Sequence, residues 1–592
     1  MKKILEQIGE VVSNAFATCG YDSSYGRVTI SNRPDLCEYQ CNGAMAAAKA
    51  YKKAPIVIAT EVVDSLKDND LFEEIVAIAP GFINIKISKD FLCDYLNKMV
   101  SEDKFGFELP ENPLTIMVDY GGANVAKPLH VGHLRPAIIG ESVKRICRYV
   151  GHNVIGDAHL GDWGLPMGQV IEETNDRQPG LPYFDPDFKG EYPTEAPFTI
   201  SELEEIYPAA SAKCKVDEAF KARAHEATFK LQNYDPAYTA LWKHIMNVSK
   251  ADLKKNYDSL QVYFDLWKGE SDAQPYIEDM INDMIAKGVA YESQGALVVD
   301  IAEPTDKKEL PPCIVRKSDG AYLYETTDLA TIIERVKLYN PDQEIYVVDK
   351  RQDLHFIQVF RAARKAGLVS PEHKLDFLGF GTMNGKDGKP FKTRDGGVLR
   401  LEALVKDINE AVYNRIVENR EVDEAEAREN AKIIGLAALK YGDLSNQASK
   451  DYVFDVDRFT SFEGNTGPSI LYTIVRIKSI LNKYAENGGD LESVKTIGAA
   501  AEVLSDSEKG LMLQITRLNE MLENAYEEIA PHKVCQYCYE LSDAFNKFYH
   551  ETKIIAEEDK TRQAGWIELL KLTKNILLTC IDLLGFEAPE RM

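Results

Sequence analysis

The chain has 592 residues, 45% hydrophobic and 28% charged, with a net charge of −25. That length exceeds what one hydrophobic core supports, so several domains are expected, with the composition of a soluble globular protein. The acidic excess argues against a DNA partner, no apolar run reaches membrane-spanning length, and the polar start Met1-Lys2-Lys3-Ile4-Leu5-Glu6-Gln7 lacks a signal-peptide core, so a cytoplasmic protein without a membrane partner is expected.

Residues 1–110 read as a separate α+β unit. Helical spacing over 4–16 gives way to a strand at 28–30 and an alanine-rich helix at 42–51, and 77–87 reads as strands broken by Pro80-Gly81. The proline-bearing stretch 108–113 is a linker. Residues 114–120 form a strand ending in polar residues, and Ile138, Ile139, Val143, Ile146, Cys147 and Val150 then recur with helical spacing. With a second strand at 153–157 this is a βαβ unit, the start of a parallel sheet. Within 121–150, Lys127, Arg135, Lys144, Arg145 and Arg148 face one acid, Glu141, which predicts a local basic patch despite the overall charge.

The α/β pattern breaks over 173–300, which reads as an insertion between two halves of a nucleotide domain, 111–172 and 301–400. The second half carries strands at 344–349 and 375–381 around a helix at 354–366. From 401 onward helical spacing dominates: 401–417 and 424–441 in a stem spanning 401–450, then 467–486, 507–528, 532–550 and 565–584 in a terminal unit, 451–592. The acidic run Glu421 to Glu426 is a solvated helix face. Ten cysteines are scattered, and only Cys535 and Cys538 form a Cys-x-x-Cys; with no second pair, they are packing thiols of a reduced, cytosolic chain.

His130-Val131-Gly132-His133 lies where the first strand turns into a helix. Backbone amides and a positive helix end favour phosphate there, and His130 and His133, three apart, share a face. Gly132 leaves room for a ligand to approach, and imidazoles can donate to a phosphate gaining charge. The pair alone also fits ordinary surface residues or a metal, although a zinc site lacks two further closely spaced ligands. Tyr324 and Asp328, four apart, put a phenol beside a carboxylate; this suits a cation with apolar methylenes, or a plain surface pair. Gln352, His355 and Gln358 follow the strand ending at Asp349, where open parallel sheets hold ligands. The basic loop 385–397 could clamp a triphosphate through Lys389, Lys392 and Arg394.

Together these segments resemble one family. His130 to His133 is similar to the HIGH signature of class I aminoacyl-tRNA synthetases, and 389–397 occupies the place of the second signature, KMSKS. Asn124-Val125-Ala126-Lys127-Pro128, Gly161-Asp162-Trp163-Gly164, Phe462 to Pro468 and the ending Glu587 to Met592 resemble arginyl-tRNA synthetases specifically, over nearly the whole chain. The resemblance implies a Rossmann-like parallel-sheet catalytic domain with an insertion, an N-terminal α+β domain touching the tRNA elbow, and an all-α C-terminal anticodon-binding bundle. It implies ATP-dependent ligation of L-arginine to tRNA(Arg) through an arginyl-adenylate, with Mg²⁺ on the phosphates, in a monomer.

By the same resemblance, His130, His133, Lys127 and Lys392 are catalytic, and His130, Val131, Gly132, His133, Lys389, Lys392, Thr393 and Arg394 hold ATP. Asp119, Asn124, His133, Tyr324, Asp328 and Gln352 bind arginine. No resident metal site is expected. Residues 389–394 do not align as five consecutive KMSKS matches; arginyl enzymes of this form are thought to use a lysine before HIGH instead, and Lys127 matches it. In the terminal bundle, Tyr472, Arg476, Lys478, Tyr537 and Tyr549 could meet splayed anticodon bases. The competing readings are another adenylyl transferase, which would not need the helical end, and an RNA-binding relative that has lost catalysis.

Overall fold

The structure is a computed structural model that describes residues 1–391, 399–418 and 421–592. Its N-terminal part is a four-stranded antiparallel sheet of β1 (Val28–Ile30), β2 (Tyr39–Cys41), β3 (Phe72–Ile78) and β4 (Phe82–Ile87), ordered β1-β2-β4-β3. Helices Ile4–Thr18, Gly43–Tyr51 and Pro55–Leu66 pack with it. Pro80-Gly81 sits in the β3–β4 hairpin, and the alternation of β4 puts Ile83, Ile85 and Ile87 in the core.

The central parallel sheet takes β5 (Thr115–Asp119) and β6 (Asn153–Asp157). After a small antiparallel sheet of β7 (Ala290–Ser293), β8 (Ala296–Val299) and β9 (Cys313–Arg316), it gains β10 (Gln343–Asp349) and β11 (Lys374–Phe380). All its pairings are parallel, in the order β11-β10-β5-β6. The chain runs outward from β5 to β6 and returns on the other side as β10. The strand order therefore switches between β5 and β10, and a crevice opens at their carboxyl ends.

Helix Leu134–Tyr149 crosses from β5 to β6 and is buried on nearly every side, including Arg135, Glu141 and Lys144. The expected basic patch does not form. Arg135 pairs with Asp443 at 3.1 Å, Lys144 with Glu141 at 2.8 Å and Arg148 with Asp265 at 2.7 Å, and Arg145 lies between Glu141 and Asp582. Burial forces this, because a charge leaving water must take a partner with it. Lys127 alone of the five keeps no ion pair among the described residues.

The long excursion between β6 and β10 supplies helices Ile200–Val216, Glu218–Gln232 and Pro236–Ser259, and the first two pack on helix Leu165–Arg177. Its return segment bridges the end of β6, Asp157 to Leu266 and Leu160 to Gly269, and delivers helix Glu270–Ala286 to the crevice. That helix, β7–β9 and helices Tyr324–Tyr339 and Asp353–Lys365 share a second apolar core.

The C-terminal region is mostly helical and departs from expectation at two places: Tyr452 and Val453 form a short strand paired in parallel with Met383 and Asn384, and a long helix is broken. Residues 507–528 form two helices, Asp506–Thr516 and Leu518–Glu527, which meet at Arg517. Leu511, Ile515, Leu518 and Leu522 keep one apolar period across the break, so nothing in the pattern marked it. Cys535 and Cys538 are buried free thiols, in keeping with a packing role.

Candidate active site

The His130–His133 turn is a 3₁₀ segment, Val131–His133, leading into helix Leu134–Tyr149. The His130 amide donates to His133 Nδ1 at 3.1 Å, and the Gly132 amide to His130 Nδ1 at 3.0 Å. The Val131 amide is taken by Leu399 O at 3.0 Å and the His133 amide by His130 O at 2.9 Å. The backbone donors expected to meet phosphate are thus already satisfied internally, and the Val131 side chain is buried. A Cβ at Gly132 would come within 2.7 Å of the His130 ring.

What the turn offers instead is imidazole. Both Nδ1 atoms accept, so in the neutral rings both protons sit on Nε2. The rings lie 4.0 Å apart. Burial, then Lys127, lowers the pKa of His130; burial, His130 and Lys127 lower that of His133 to about 3. Two neutral donors beside one lysine are the preset dipoles that a phosphate gaining charge requires.

The chain after the basic loop is stitched to this turn: His130 bridges Arg400, and the Leu401 amide donates to Leu129 O at 3.1 Å. In the loop, Gly385 and Lys389 close a tight turn at 2.8 Å, and Lys386 reaches Asp455 at 3.5 Å. Lys389 is exposed. Lys392, Thr393 and Arg394 lie outside the described residues.

The carboxylate end of the site gathers at the carboxyl ends of β5 and β10. Asn124 bridges Gly161, and the Tyr207 hydroxyl lies beside the Asn124 side chain. Tyr324, two-thirds exposed at 67%, opens helix Tyr324–Tyr339. Burial and the charge of Glu270, then Tyr207 and Asp328, raise its phenol pKa, which places these groups around it. Asp328 is held by His355 at 2.5 Å. Gln352 is exposed one turn before His355, whereas Gln358 is buried and bonds Pro311 O and Pro312 O, a structural role. Asp119 meets a cation of the protein itself, Arg335 Nη2, at 2.7 Å.

Four residues of this region escaped the sequence reading. Arg335 is fully buried and also donates to Asp157 at 3.0 Å and Glu344 at 3.3 Å, tying the ends of β5 and β6 to β10. His159 lies 3.5 Å from Asp157 Oδ2, an ion-pair distance without hydrogen-bond geometry, and neither ring nitrogen has a hydrogen-bond partner. Burial opposes its charge, but Asp157 and Asp119 raise its pKa to about 9. Glu270 sits among His159, Asp162 and Asp328; burial drives its pKa up to about 7. Tyr207 comes from the insertion. His159 could have been suspected as a polar residue just past a strand end, while Glu270 and Tyr207 carry no sequence signal, because only the fold brings them here.

In the bundle, Arg476 lies between Tyr472 and Tyr549, 4.8 and 4.7 Å from their ring centres, and Arg476 and Tyr472 line a cleft of about 1050 Å³. Tyr537 is buried and bonds Ile515 O, which removes it as a base contact, and Lys478 turns to Pro589 O and Glu590. Among the described residues, no group of three or more His, Cys, Asp or Glu is placed to hold a metal, and no helix is long and apolar enough to cross a membrane.

A switch-point parallel sheet, a His-x-Gly-His turn at its carboxyl edge and a terminal helical bundle define the class I aminoacyl-tRNA synthetase architecture. Residues 96–456 match the family described as tRNA synthetases class I (R), catalytic domain. Residues 470–592 match the DALR anticodon binding domain and 2–87 the arginyl tRNA synthetase N terminal domain. The chain is 60% identical to an arginine–tRNA ligase of Agathobacter rectalis and 57% to one of Alkaliphilus oremlandii, covering 100% of each chain. The arginyl-tRNA synthetase of Plasmodium falciparum superposes with a TM-score of 0.82 at 25% identity over 100% of both chains. That of Thermus thermophilus shares the fold, with a TM-score of 0.77 at 21% identity. The chain belongs to the arginyl-tRNA synthetase family.

Proposed function

We infer that the protein carries out its family's reaction, the ATP-dependent ligation of L-arginine to tRNA(Arg). One observation carries the residue-level reading: a neutral imidazole pair with its lysine, and an acid–phenol cluster, stand at the carboxyl edge of one sheet. The first suits a triphosphate and the second a guanidinium, whose five fixed donors a carboxylate beside an aromatic wall reads better than it reads an ammonium.

In the first step a carboxylate oxygen of arginine attacks the α-phosphorus. The bond to the bridging oxygen breaks and pyrophosphate leaves; a Mg²⁺ brought in on the nucleotide phosphates would offset their charge. His130 and His133 donate Nε2–H to the phosphate oxygens as charge builds, Lys127 stabilises the departing pyrophosphate, and the ATP contacts assigned to Lys389, Lys392, Thr393 and Arg394 add positive charge, the last three lying outside the described residues. In the second step a terminal ribose hydroxyl of tRNA attacks the arginyl carbonyl carbon, the acyl–phosphate bond breaks, and AMP leaves, its phosphate taking up the hydroxyl proton. Asp328 and Tyr324 read the guanidinium. Asn124, Gln352 and Asp119 complete the amino-acid pocket, and Glu270 adds a further acid.

Residues 1–110 are assigned to the tRNA elbow, the stem 401–450 to support, and the cleft around Tyr472, Arg476 and Tyr549 to the anticodon. All these parts lie in one chain, which supports action as a monomer, and ten unpaired thiols suit a reducing cytoplasm. The experiment is ATP–pyrophosphate exchange dependent on arginine, with and without tRNA, in wild type and Asp328→Asn. Asp328→Asn raises the arginine KM far more than the ATP KM; equal effects on both would overturn the assignment.

A further inference from the structure

Glu325 and Asp328 project from helix Tyr324–Tyr339 toward His355 on helix Asp353–Lys365. His355 Nε2 lies 2.5 Å from Asp328 Oδ2, and Nδ1 lies 3.2 Å from Glu325 Oε1. All three side chains are about four-fifths buried, at 19–21% exposure. A neutral imidazole has one donor, and in this geometry its lone pair would face a carboxylate oxygen. Two carboxylate contacts require both nitrogens to donate, hence an imidazolium. The surroundings agree. Burial opposes the charge, but Asp328 and Glu325 raise the His355 pKa to about 9, and His355 holds Glu325 below its usual range against its burial. The other titratable groups that these acids act on are the Cys313 thiol on β9, Tyr346 on β10, Tyr324, and Glu270 at the head of its helix.

We propose that His355 is a positioning residue for guanidinium recognition, clamping Asp328 through Oδ2 so that Oδ1 faces the substrate while it withdraws Glu325 from competition. This rests on the reading of Asp328 as the guanidinium-binding acid. Oδ1 of Asp328 makes no hydrogen bond among the described residues, so the clamp leaves one oxygen free. Two carboxylates and one imidazolium leave a single net negative charge, the complement of one guanidinium. Without the clamp, two like charges one helical step apart repel, and Asp328 loses the fixed plane that distinguishes a planar fork from a point charge.

The test measures arginine and ATP KM and kcat by pyrophosphate exchange in wild type, His355→Ala, His355→Gln and Asp328→Asn. His355→Ala raises the arginine KM by roughly tenfold or more, the scale of a lost hydrogen bond to a charged group, with kcat and the ATP KM nearly unchanged. His355→Gln keeps a donor for Asp328 without the charge and falls between; it also serves if the alanine variant does not fold. In wild type the arginine KM climbs as pH passes about 9. In His355→Gln only the part of that climb belonging to the substrate's own α-amino group remains. If Asp328→Asn weakens arginine and His355→Ala does not, the clamp is overturned and the site stands. If Asp328→Asn has no effect, the guanidinium reading falls and takes the clamp with it. If His355→Ala and His355→Gln raise both KM values alike, His355 merely holds the fold, and the proposal is overturned.

Discussion

The backbone amide of His130 donates to Nδ1 of His133 at 3.1 Å, and this one bond fixes which nitrogen of His133 can face a substrate. With Nδ1 spent and the pKa depressed to about 3, His133 presents Nε2–H as a neutral donor throughout the physiological range. His133→Ala lowers arginine-dependent pyrophosphate exchange by roughly 10²–10³-fold, the usual cost of one transition-state donor, and His133→Gln recovers part of it. The exchange rate carries no limb near pH 6.5 from this residue. Below that pH the unfolded chain binds a proton that folded His133 refuses, so its contribution to stability falls as pH drops toward about 3. A limb near pH 6.5 that disappears in His133→Gln would refute the neutral-donor role.

Lys127 is half-buried beside the histidine pair and has no ion pair among the described residues, so its charge is available to substrate. Lys127→Ala reduces pyrophosphate exchange by roughly a hundredfold or more, while Lys127→Arg retains a larger share. Exchange within a few-fold of wild type in the alanine variant would assign the pyrophosphate to the basic loop instead.

Glu270 is held protonated up to about pH 7 by burial. Its unfolded carboxyl ionises near its ordinary value, so folding takes up a proton, and the penalty grows as pH rises from that value to about 7 and stays constant above. Glu270→Gln therefore adds stability at pH 8 on the order of 1 kcal/mol, seen as a higher apparent Tm, an effect that shrinks toward pH 5, while weakening arginine binding. Differential scanning calorimetry at the two pH values, paired with the arginine KM, measures both effects.

Arg335 pairs with Asp119, Asp157 and Glu344 at once, while His159 also approaches Asp157 and His373 meets Glu344. Arg335→Met leaves three buried or half-buried carboxylates without it and costs roughly 3–5 kcal/mol, seen as a lower denaturant midpoint. Because the loss lies in the sheet, arginine and ATP binding fail together. A selective loss of arginine affinity with unchanged stability would give Arg335 a role in the pocket.

Tyr472→Ala and Arg476→Ala dismantle the stacked cleft of the bundle. Each raises the tRNA KM, by an amount near 1–3 kcal/mol per lost base stack, and leaves the arginine and ATP KM at saturating tRNA unchanged. Filter binding of tRNA(Arg) gives the direct measure.

The sequence exposed most of the fold because period and punctuation are local. The strand ends at Asp157 and Asp349, the His-x-Gly-His turn between strand and helix, and the helices 401–417 and 467–486 all follow from apolar spacing and breakers. The failures share one cause. Arg135, Lys144 and Arg148 counted as a basic patch until the fold supplied Asp443, Glu141 and Asp265, and the helix break at Arg517 hid inside an unbroken apolar period.

By itself the chain determined many of the elements, the parallel-sheet and helical segments above all, and which residues carry the signature chemistry, since these depend on neighbours a few positions apart; the small sheet β7–β9 carried no such signal. Tertiary structure alone decided the protonation of His133, Glu270 and His355, the pairing of Asp119 with Arg335, and the meeting of Tyr207 with Asn124. Those properties depend on burial and on charges brought close from distant segments, and a linear pattern encodes neither the dielectric around a group nor the identity of its partner.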